Sequence, residues 1–257
     1  MTALIRHPVY LFLTLIAVMS VAASLGVAAV RRAAPLSDEA RDNYKIVQGA
    51  TLTLLALLIG FSLSMAVTRY DQRKNYEEDE ANAIGTEYVR ADLLDAARSM
   101  RIKALLARYL QMRIKSYDSA DARAIDMIEG KTADLQDQLW AAVREGAVKE
   151  PNAITALVVA GMNDVLNTQG YTQAAWRNRI PIATWVLMIA IALLSAAMQG
   201  YGVRGESGRH ALLLALPLTV SLSLSLALIA DIDSPRGGLI RIAPLNLVSL
   251  QRSLGPR

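Results

Sequence analysis

The stretch GATLTLLALLIGFSLSMAVTRYDQRKNYEEDEANAIGTEYVR, residues 49–90, decides the fold of this chain. Its first part, residues 49–68, carries no charged side chain and matches the roughly 20 apolar residues that cross the hydrocarbon core of a bilayer. Its second part begins with Arg69, Arg73 and Lys74 and is strongly polar. We interpret the stretch as a membrane helix that continues into a cytosolic helix.

A row of three side chains runs along the apolar part of this helix. Thr53, Leu57 and Phe61 are four residues apart, so they lie one above another on a single helix face. Such a row is typical of a pore-lining helix when several copies surround one axis. Contact with lipid or with a neighbouring helix is the alternative interpretation of the same spacing.

An acidic cluster follows in the polar part, at Glu77, Glu78, Asp79 and Glu80. We expect these side chains to form a solvated helix surface that pairs with the basic residues three to four positions earlier. The alternative is a ring of carboxylates that attracts cations into a vestibule.

The composition places the chain between membrane and soluble proteins. It has 257 residues, 53% of them hydrophobic, a mean hydropathy of +0.29 and a formal net charge of +4. The absence of cysteine excludes disulfides, a thiol nucleophile and thiolate metal ligands. The tail after Asp233 contains four arginines and no acidic residue, which predicts a cytoplasmic, lipid-facing flank rather than a nucleic-acid surface.

Four apolar runs predict an all-α membrane protein with four transmembrane helices, at residues 8–30, 46–68, 180–198 and 211–230. A cleaved signal peptide is the rival interpretation of the first run, but signal sequences have shorter apolar cores of about 7–15 residues. The predicted organisation is therefore spans one and two in 1–68, an intracellular helical domain in 69–179, spans three and four in 180–230, and an intracellular tail in 231–257.

Turn-forming residues predict where the helices are interrupted. Residues 31–45 are expected to form a polar loop, and residues 200–210 a short glycine-rich link. In the helical domain we expect breaks at residues 118–121 and 146–152, followed by a helix over 152–167 that ends near Gly170.

Basic flanks give the orientation. Arginine and lysine after span two, before span three and after span four all lie on one side, which should be the cytoplasm. Both termini are then cytoplasmic. Arg31 and Arg32 lie on the other side and weaken this assignment without reversing it.

Several polar residues are candidates for function, each with a structural alternative. Ser62 and Ser64 face either a hydrated pore or the backbone of their own helix, and Arg69 either attracts anions to a pore mouth or anchors the helix at the interface. Asp231 and Asp233 are expected to cap a turn or pair with arginine, with cation binding as the alternative. Gly49 and Gly60 are expected to let neighbouring helices approach closely. His7 and His210 flank different spans and have no second histidine nearby, so we do not expect a histidine metal site.

Two motifs resemble bestrophins. Residues 57–72, LLIGFSLSMAVTRYDQ, are similar to the second transmembrane helix of that family, and residues 231–237, DIDSPRG, to the acidic segment that follows its last membrane helix. A closer resemblance, over most of the chain, is to a bacterial bestrophin-like family without an assigned activity.

The resemblance implies a homopentameric ion channel in which the second helices form a hydrophobic neck, here Thr53, Leu57 and Phe61, with Ser64 and Arg69 towards its mouth. It also implies a bacterial inner membrane, with inorganic ions and lipid as partners. The chain departs from the family at Thr53, where a larger apolar residue is usual. Asp231 and Asp233 are too few for the calcium-binding acidic run of animal bestrophins, so no cofactor or metal is expected.

Two other classes of function remain open. A non-conducting membrane scaffold or sensor would use the helical domain to bind a protein partner. A membrane-embedded enzyme would need ionisable residues within the spans, and the four predicted spans contain none between their flanks. No phosphate loop, catalytic constellation or nucleic-acid motif is present in the sequence.

Overall fold

The computed structural model describes residues 8–32, 37–202 and 208–255, and these residues form α-helices joined by short connections, without a β-strand. The helices are α1 (Pro8–Arg32), α2 (Asp38–Arg90), α3 (Ala96–Asp118), α4 (Ala122–Lys149), α5 (Ala153–Arg177), α6 (Ile182–Gly202), α7 (Gly208–Asp233) and α8 (Leu245–Leu254), with a 3₁₀ turn at Ala91–Leu93 after α2. Four helical stretches among the described residues are long and apolar enough to cross a membrane; they contain the first three predicted spans and overlap the fourth, since the last stretch is Ala215–Asp233. The all-α, four-span prediction is confirmed.

The second helix is a single continuous element. It contains 53 residues, more than twice the roughly 20 that cross a bilayer core, so only its apolar part, residues 46–68, can lie in the membrane. The prediction of a membrane helix that continues beyond the membrane is confirmed.

The predicted polar loop over residues 31–45 is wrong for the part that the structure describes. Arg31 and Arg32 belong to α1, and α2 already begins at Asp38. Ser37 accepts a hydrogen bond from the backbone N–H of Ala40 at 3.2 Å, and Asp38 and Glu39 follow in the first turn, where acidic side chains favour the helix dipole. These polar residues start a helix, and Pro35 lies outside the described residues.

The membrane unit comprises the described residues of Met1–Thr68 and Arg179–Ile240. Its core is formed by Met19, Leu55, Met188, Ala192 and Leu226. The burial of Met19 shows that α1 packs as part of this bundle, which favours a membrane helix over a cleaved signal peptide. Of the predicted link at 200–210, residues up to Gly202 are helical, α7 begins at Gly208, and residues 203–207 lie outside the description.

Glycines allow α1 and α6 to approach closely. A Cβ atom added at Gly26 would collide with the carbonyl oxygen of Ala197, and one added at Gly200 with that of Ala23. Small residues at such contacts are typical of packed membrane helices. By contrast, no atom lies within 4 Å of a Cβ built at Gly49 or Gly60, so the close approach predicted there is not found within the described chain.

The helical unit comprises Arg69–Asn178 and the described residues of Arg241–Arg257. Its core includes Ile84, Leu106, Leu139, Met162 and Leu247. Because Leu247 in α8 and Ile242 before it are buried there, the expectation that the tail is a lipid-facing flank is wrong for these residues.

Side-chain caps set the helix boundaries in the helical unit. Asp95, Asp121 and Asn152 each accept a hydrogen bond from a backbone N–H of the following helix. The predicted break at 118–121 is confirmed, while the second break is confined to residues 150–152, because α4 continues through the buried Gly146.

The helix predicted to end near Gly170 continues to Arg177. Thr172, Ala175 and Trp176 are buried in its last two turns. Their tertiary packing outweighs the cost of one glycine in a helix, which is only about 1 kcal/mol.

Candidate functional site

The proposed neck row lies on the uncovered face of α2. Leu57 and Phe61 expose 54% and 63% of their surface, and Thr53 is also exposed. On the other side of the same helix, Leu55 and Ser62 are buried. Span two therefore packs one face into its own bundle, while the described residues leave the other face free for another molecule, lipid or water.

The hydroxyl of Thr53 is already engaged within the helix. Its Oγ1 donates a hydrogen bond to the carbonyl oxygen of Gly49 at 2.9 Å. The residue therefore presents a methyl group and an acceptor oxygen to its surroundings, and no free donor. A ring of such residues would be wetter than a ring of leucine but would offer anions little hydrogen bonding.

The exposed face continues from the neck row towards the end of the span. Ser64 lies one turn after Phe61 and is exposed, whereas Ser62 is almost fully buried. The two serines thus have different surroundings, and of the pair only Ser64 lies on the neck face. Arg69, the first charged residue after the span, is partly buried.

The carboxylate of Asp231 forms hydrogen bonds with the segment that follows span four. Its two carboxylate oxygens accept hydrogen bonds from the backbone N–H groups of Leu239, at 2.8 Å, and Ile240, at 3.0 Å. Gly238 has a φ of +83°, and a Cβ there would collide with the carboxylate of Asp231. Only glycine fits both requirements.

The carboxylate of Asp233 binds the backbone at the start of span three. Both of its oxygens accept from the backbone N–H of Ile180, at 3.1 and 3.2 Å. The two aspartates therefore act as backbone anchors, in agreement with the capping interpretation. Among the described residues, no group of three or more histidine, cysteine or acidic side chains is placed to hold a metal ion.

The predicted solvated acidic surface is only half correct. Glu78 and Asp79 are exposed, but Glu77 and Glu80 are buried. Glu77 accepts hydrogen bonds from the backbone N–H of Leu247, at 2.9 Å, and from the side-chain amide of Asn246, at 2.7 Å. Glu77 therefore accepts a hydrogen bond from a backbone N–H group in the first turn of α8, which no residue of that helix can accept.

Arg73 and Glu80 both have partners outside α2. Arg73 is buried and donates to the carbonyl oxygens of Ala175, at 3.2 Å, and Asn178, at 3.1 Å, at the end of α5. Glu80 pairs with Arg113 of α3 and lies 3.3 Å from the hydroxyl of Thr172. Buried charges of this kind persist because each has a partner.

The sequence did contain a signal for these buried charges. The buried residues of α2 beyond the membrane segment include Arg73, Glu77, Glu80, Ile84 and Glu87, and the buried Ala91 of the following 3₁₀ turn continues the series. Their spacing alternates between four and three residues, which is the pattern of a core-facing helix stripe. Apolar residues at the later positions indicate that the earlier acids share the buried face.

Comparison with known proteins identifies the fold and a family. The family model described as the Bestrophin-like domain matches residues 17–247. A crystal structure of a bacterial bestrophin homologue from Klebsiella pneumoniae superposes with a TM-score of 0.67 at 13% identity, covering 96% of each chain. A variant of that homologue gives a TM-score of 0.68 at 12% identity, covering 96% of this chain and 97% of the other. A search of curated proteins gave no match.

Proposed function

Because the chain belongs to the bestrophin-like family, we propose that it is a passive ion channel, formed by a homopentamer in which α2 lines the pore. The observation that carries the proposal is the row of Thr53, Leu57 and Phe61, which is exposed on a helix whose opposite face is buried. A long apolar helix with one uncovered face is what each subunit of such a pore must contribute.

The oligomer has a physical basis apart from the family. The four spans pack around a core that includes Met19, Leu55, Met188 and Leu226, and four helices alone do not enclose a wide aqueous path. Conduction therefore requires several copies around an axis. Five copies follow from the resemblance to bestrophins.

The neck would act as a hydrophobic gate. Rings of Leu57 and Phe61 offer an ion no polar group in exchange for the water it must lose, so the constriction opposes conduction when it dewets. Thr53 would make one end of the neck wetter. Ser64 would line the wider part, and Arg69 would raise the local concentration of anions at the pore mouth.

The proposed setting is a bacterial inner membrane. The basic flanks at Arg69, Arg73, Arg177 and Arg179 favour an orientation with the helical unit and both termini in the cytoplasm. The outer faces of the spans would contact lipid, and the transported partners would be small inorganic ions.

The decisive experiment is current through the purified protein in a planar bilayer under an asymmetric salt gradient. We expect Phe61→Ala and Leu57→Ala to raise the current severalfold, because each removes apolar bulk from the constriction. The reversal potential of the same recordings assigns anion or cation preference.

Leu187→Ala is the matched control. Leu187 lies in span three, exposes 48% of its surface and loses the same atoms as Leu57. Its current should equal that of the unaltered protein. Equal effects at positions 57 and 187, or a folded oligomer that never conducts, would contradict the proposed neck.

A non-conducting scaffold or sensor is the second candidate. It is favoured by apolar side chains exposed on the helical unit, including Met100, Met127 and Val148. They would mark a binding site for a protein partner only where they form one contiguous apolar patch. This candidate gains support if the purified protein is a monomer or dimer that carries no current.

A further inference from the structure

Glu87 is a buried carboxyl group with no hydrogen-bond partner in the part of the chain that the structure describes. It lies on the core-facing stripe of α2 between Ile84 and Ala91, and its relative exposure is 0%. Neither of its oxygens has a partner among the described residues. The other two buried acids of this stripe, Glu77 and Glu80, accept hydrogen bonds from N–H donors.

The neighbouring helix leaves room for this side chain. Gly161 of α5 faces Glu87, and a Cβ atom added there would collide with its Oε2 atom and with the guanidinium of Arg90. Gly161 is itself buried between Val158 and Val165 on the same helix face. The carboxyl group therefore occupies the space that a larger residue of α5 would fill.

The electrostatic surroundings favour the protonated acid. Burial raises the pKa of Glu87 to about 8. Of the charged groups that act on it, Arg90 on α2 opposes this rise and Asp164 on α5 adds to it. Glu87 follows the apolar part of α2 by almost twenty residues, so it lies outside the membrane-spanning segment.

We infer that Glu87 is a proton-binding site of the helical unit, held as the neutral acid against Gly161, and that losing its proton loosens the packing of α5 on α2. An ionised carboxylate in this position would lose its hydration without a hydrogen-bond donor among the described residues to replace it, and the neighbouring Arg90 offsets only part of that cost. The inference goes beyond ion conduction and does not depend on it.

The direction of the pH effect follows from the raised pKa. An unfolded glutamate titrates near 4.5, whereas Glu87 in the folded protein titrates near 8. Between these values the folded protein holds the extra proton, so the stabilisation is complete below about pH 4.5 and is lost as the pH rises to about 8. Above that range the contribution of this residue is constant.

Amide hydrogen exchange of the full-length protein in detergent tests the packing. Protection factors of the α5 amides around Gly161 should fall by up to about tenfold per pH unit between about pH 5 and 8. Glu87→Gln keeps the shape without the charge and should remove this dependence. Glu78→Gln, at an exposed position of the same helix, should leave it unchanged. Equal pH dependence in all three proteins would overturn the inference.

Infrared spectroscopy tests the protonation state directly. The unaltered protein at neutral pH should show the carbonyl band of a protonated carboxylic acid, which disappears on titration near pH 8. The band should be missing in Glu87→Gln and present in Glu78→Gln. If Glu87→Gln does not fold, the titration of the unaltered protein still decides, because a protein without such a band has no neutral buried acid.

Discussion

At the scale of single residues, the ion pairs of the helical unit differ in how deeply they are buried. The ion pair of Glu80 and Arg113 is almost completely buried, whereas Glu145 and Lys149 pair on an exposed helix surface. Burial lowers the pKa of Arg113 but the pairing with Glu80 outweighs it, so the net effect is a raised pKa and a guanidinium that stays charged. Removing one member of the buried pair therefore leaves an uncompensated charge in the core.

We expect Arg113→Met to lower the free energy of unfolding by about 3–5 kcal/mol, because Glu80 keeps its burial and loses its main donor. Denaturant unfolding of the purified protein measures the change. Lys149→Met is the control, since it removes a cation of similar length from a solvent-screened pair and should have little effect. An equal loss in both variants would show that the buried pair has no special role.

At the scale of elements, the contact between α1 and α6 depends on residues that carry no side chain. Gly26 lies against the backbone of Ala197, and Gly200 against that of Ala23, so the two helices touch through their main chains. Gly49 on α2 has open space around it. Gly26 and Gly200 are therefore needed for close helix packing, whereas Gly49 has no such role within the described chain.

Adding one methyl group should separate these cases. Gly26→Ala forces α1 away from α6 and should destabilise the fold by about 1–3 kcal/mol, as overpacking does in other cores. Gly49→Ala should be neutral or stabilising by up to about 1 kcal/mol, since alanine is the better helix former. Thermal unfolding in detergent gives both values. A destabilised Gly49→Ala variant would mean that this glycine meets a neighbour outside the single chain.

At the scale of the whole molecule, the proposed pore requires several copies of the chain. One bundle leaves Leu57 and Phe61 uncovered, and a ring of bundles would bring these faces to a common axis. The proposal therefore makes a claim about subunit number and about access of water to the row.

We expect the detergent-solubilised protein to contain five copies of the 27.9 kDa chain, as measured by native mass spectrometry. Because the chain has no cysteine, Phe61→Cys introduces a single thiol. A charged, water-soluble thiol reagent should react with it and change the current, because the row would face an aqueous path in the proposed pore. Leu187→Cys should remain unreactive in lipid. The opposite pattern would place position 61 against the bilayer.

The sequence alone determined the features that depend on local patterns. The length of the apolar runs set the four spans, and the uninterrupted helical pattern after Thr68 set the continuation of α2 beyond the membrane. The resemblance to the bestrophin-like family, carried by residues 49–73, 79–94 and 231–238, is confirmed by the family model over residues 17–247. The uncovered position of the row at Thr53, Leu57 and Phe61 agrees with its spacing, and its place in a pore stays a prediction.

Only the tertiary structure decided which polar residues are buried and where the tail packs. The sequence around Glu77 predicts an exposed acid, but in the structure α8, about 170 residues later, provides its hydrogen-bond donors. Gly26 and Gly200 matter because their helices meet, and Gly170 lies within a helix because the residues after it are buried. Each outcome depends on contacts between distant segments, and the free energy of those contacts outweighs the local preferences that a sequence pattern records.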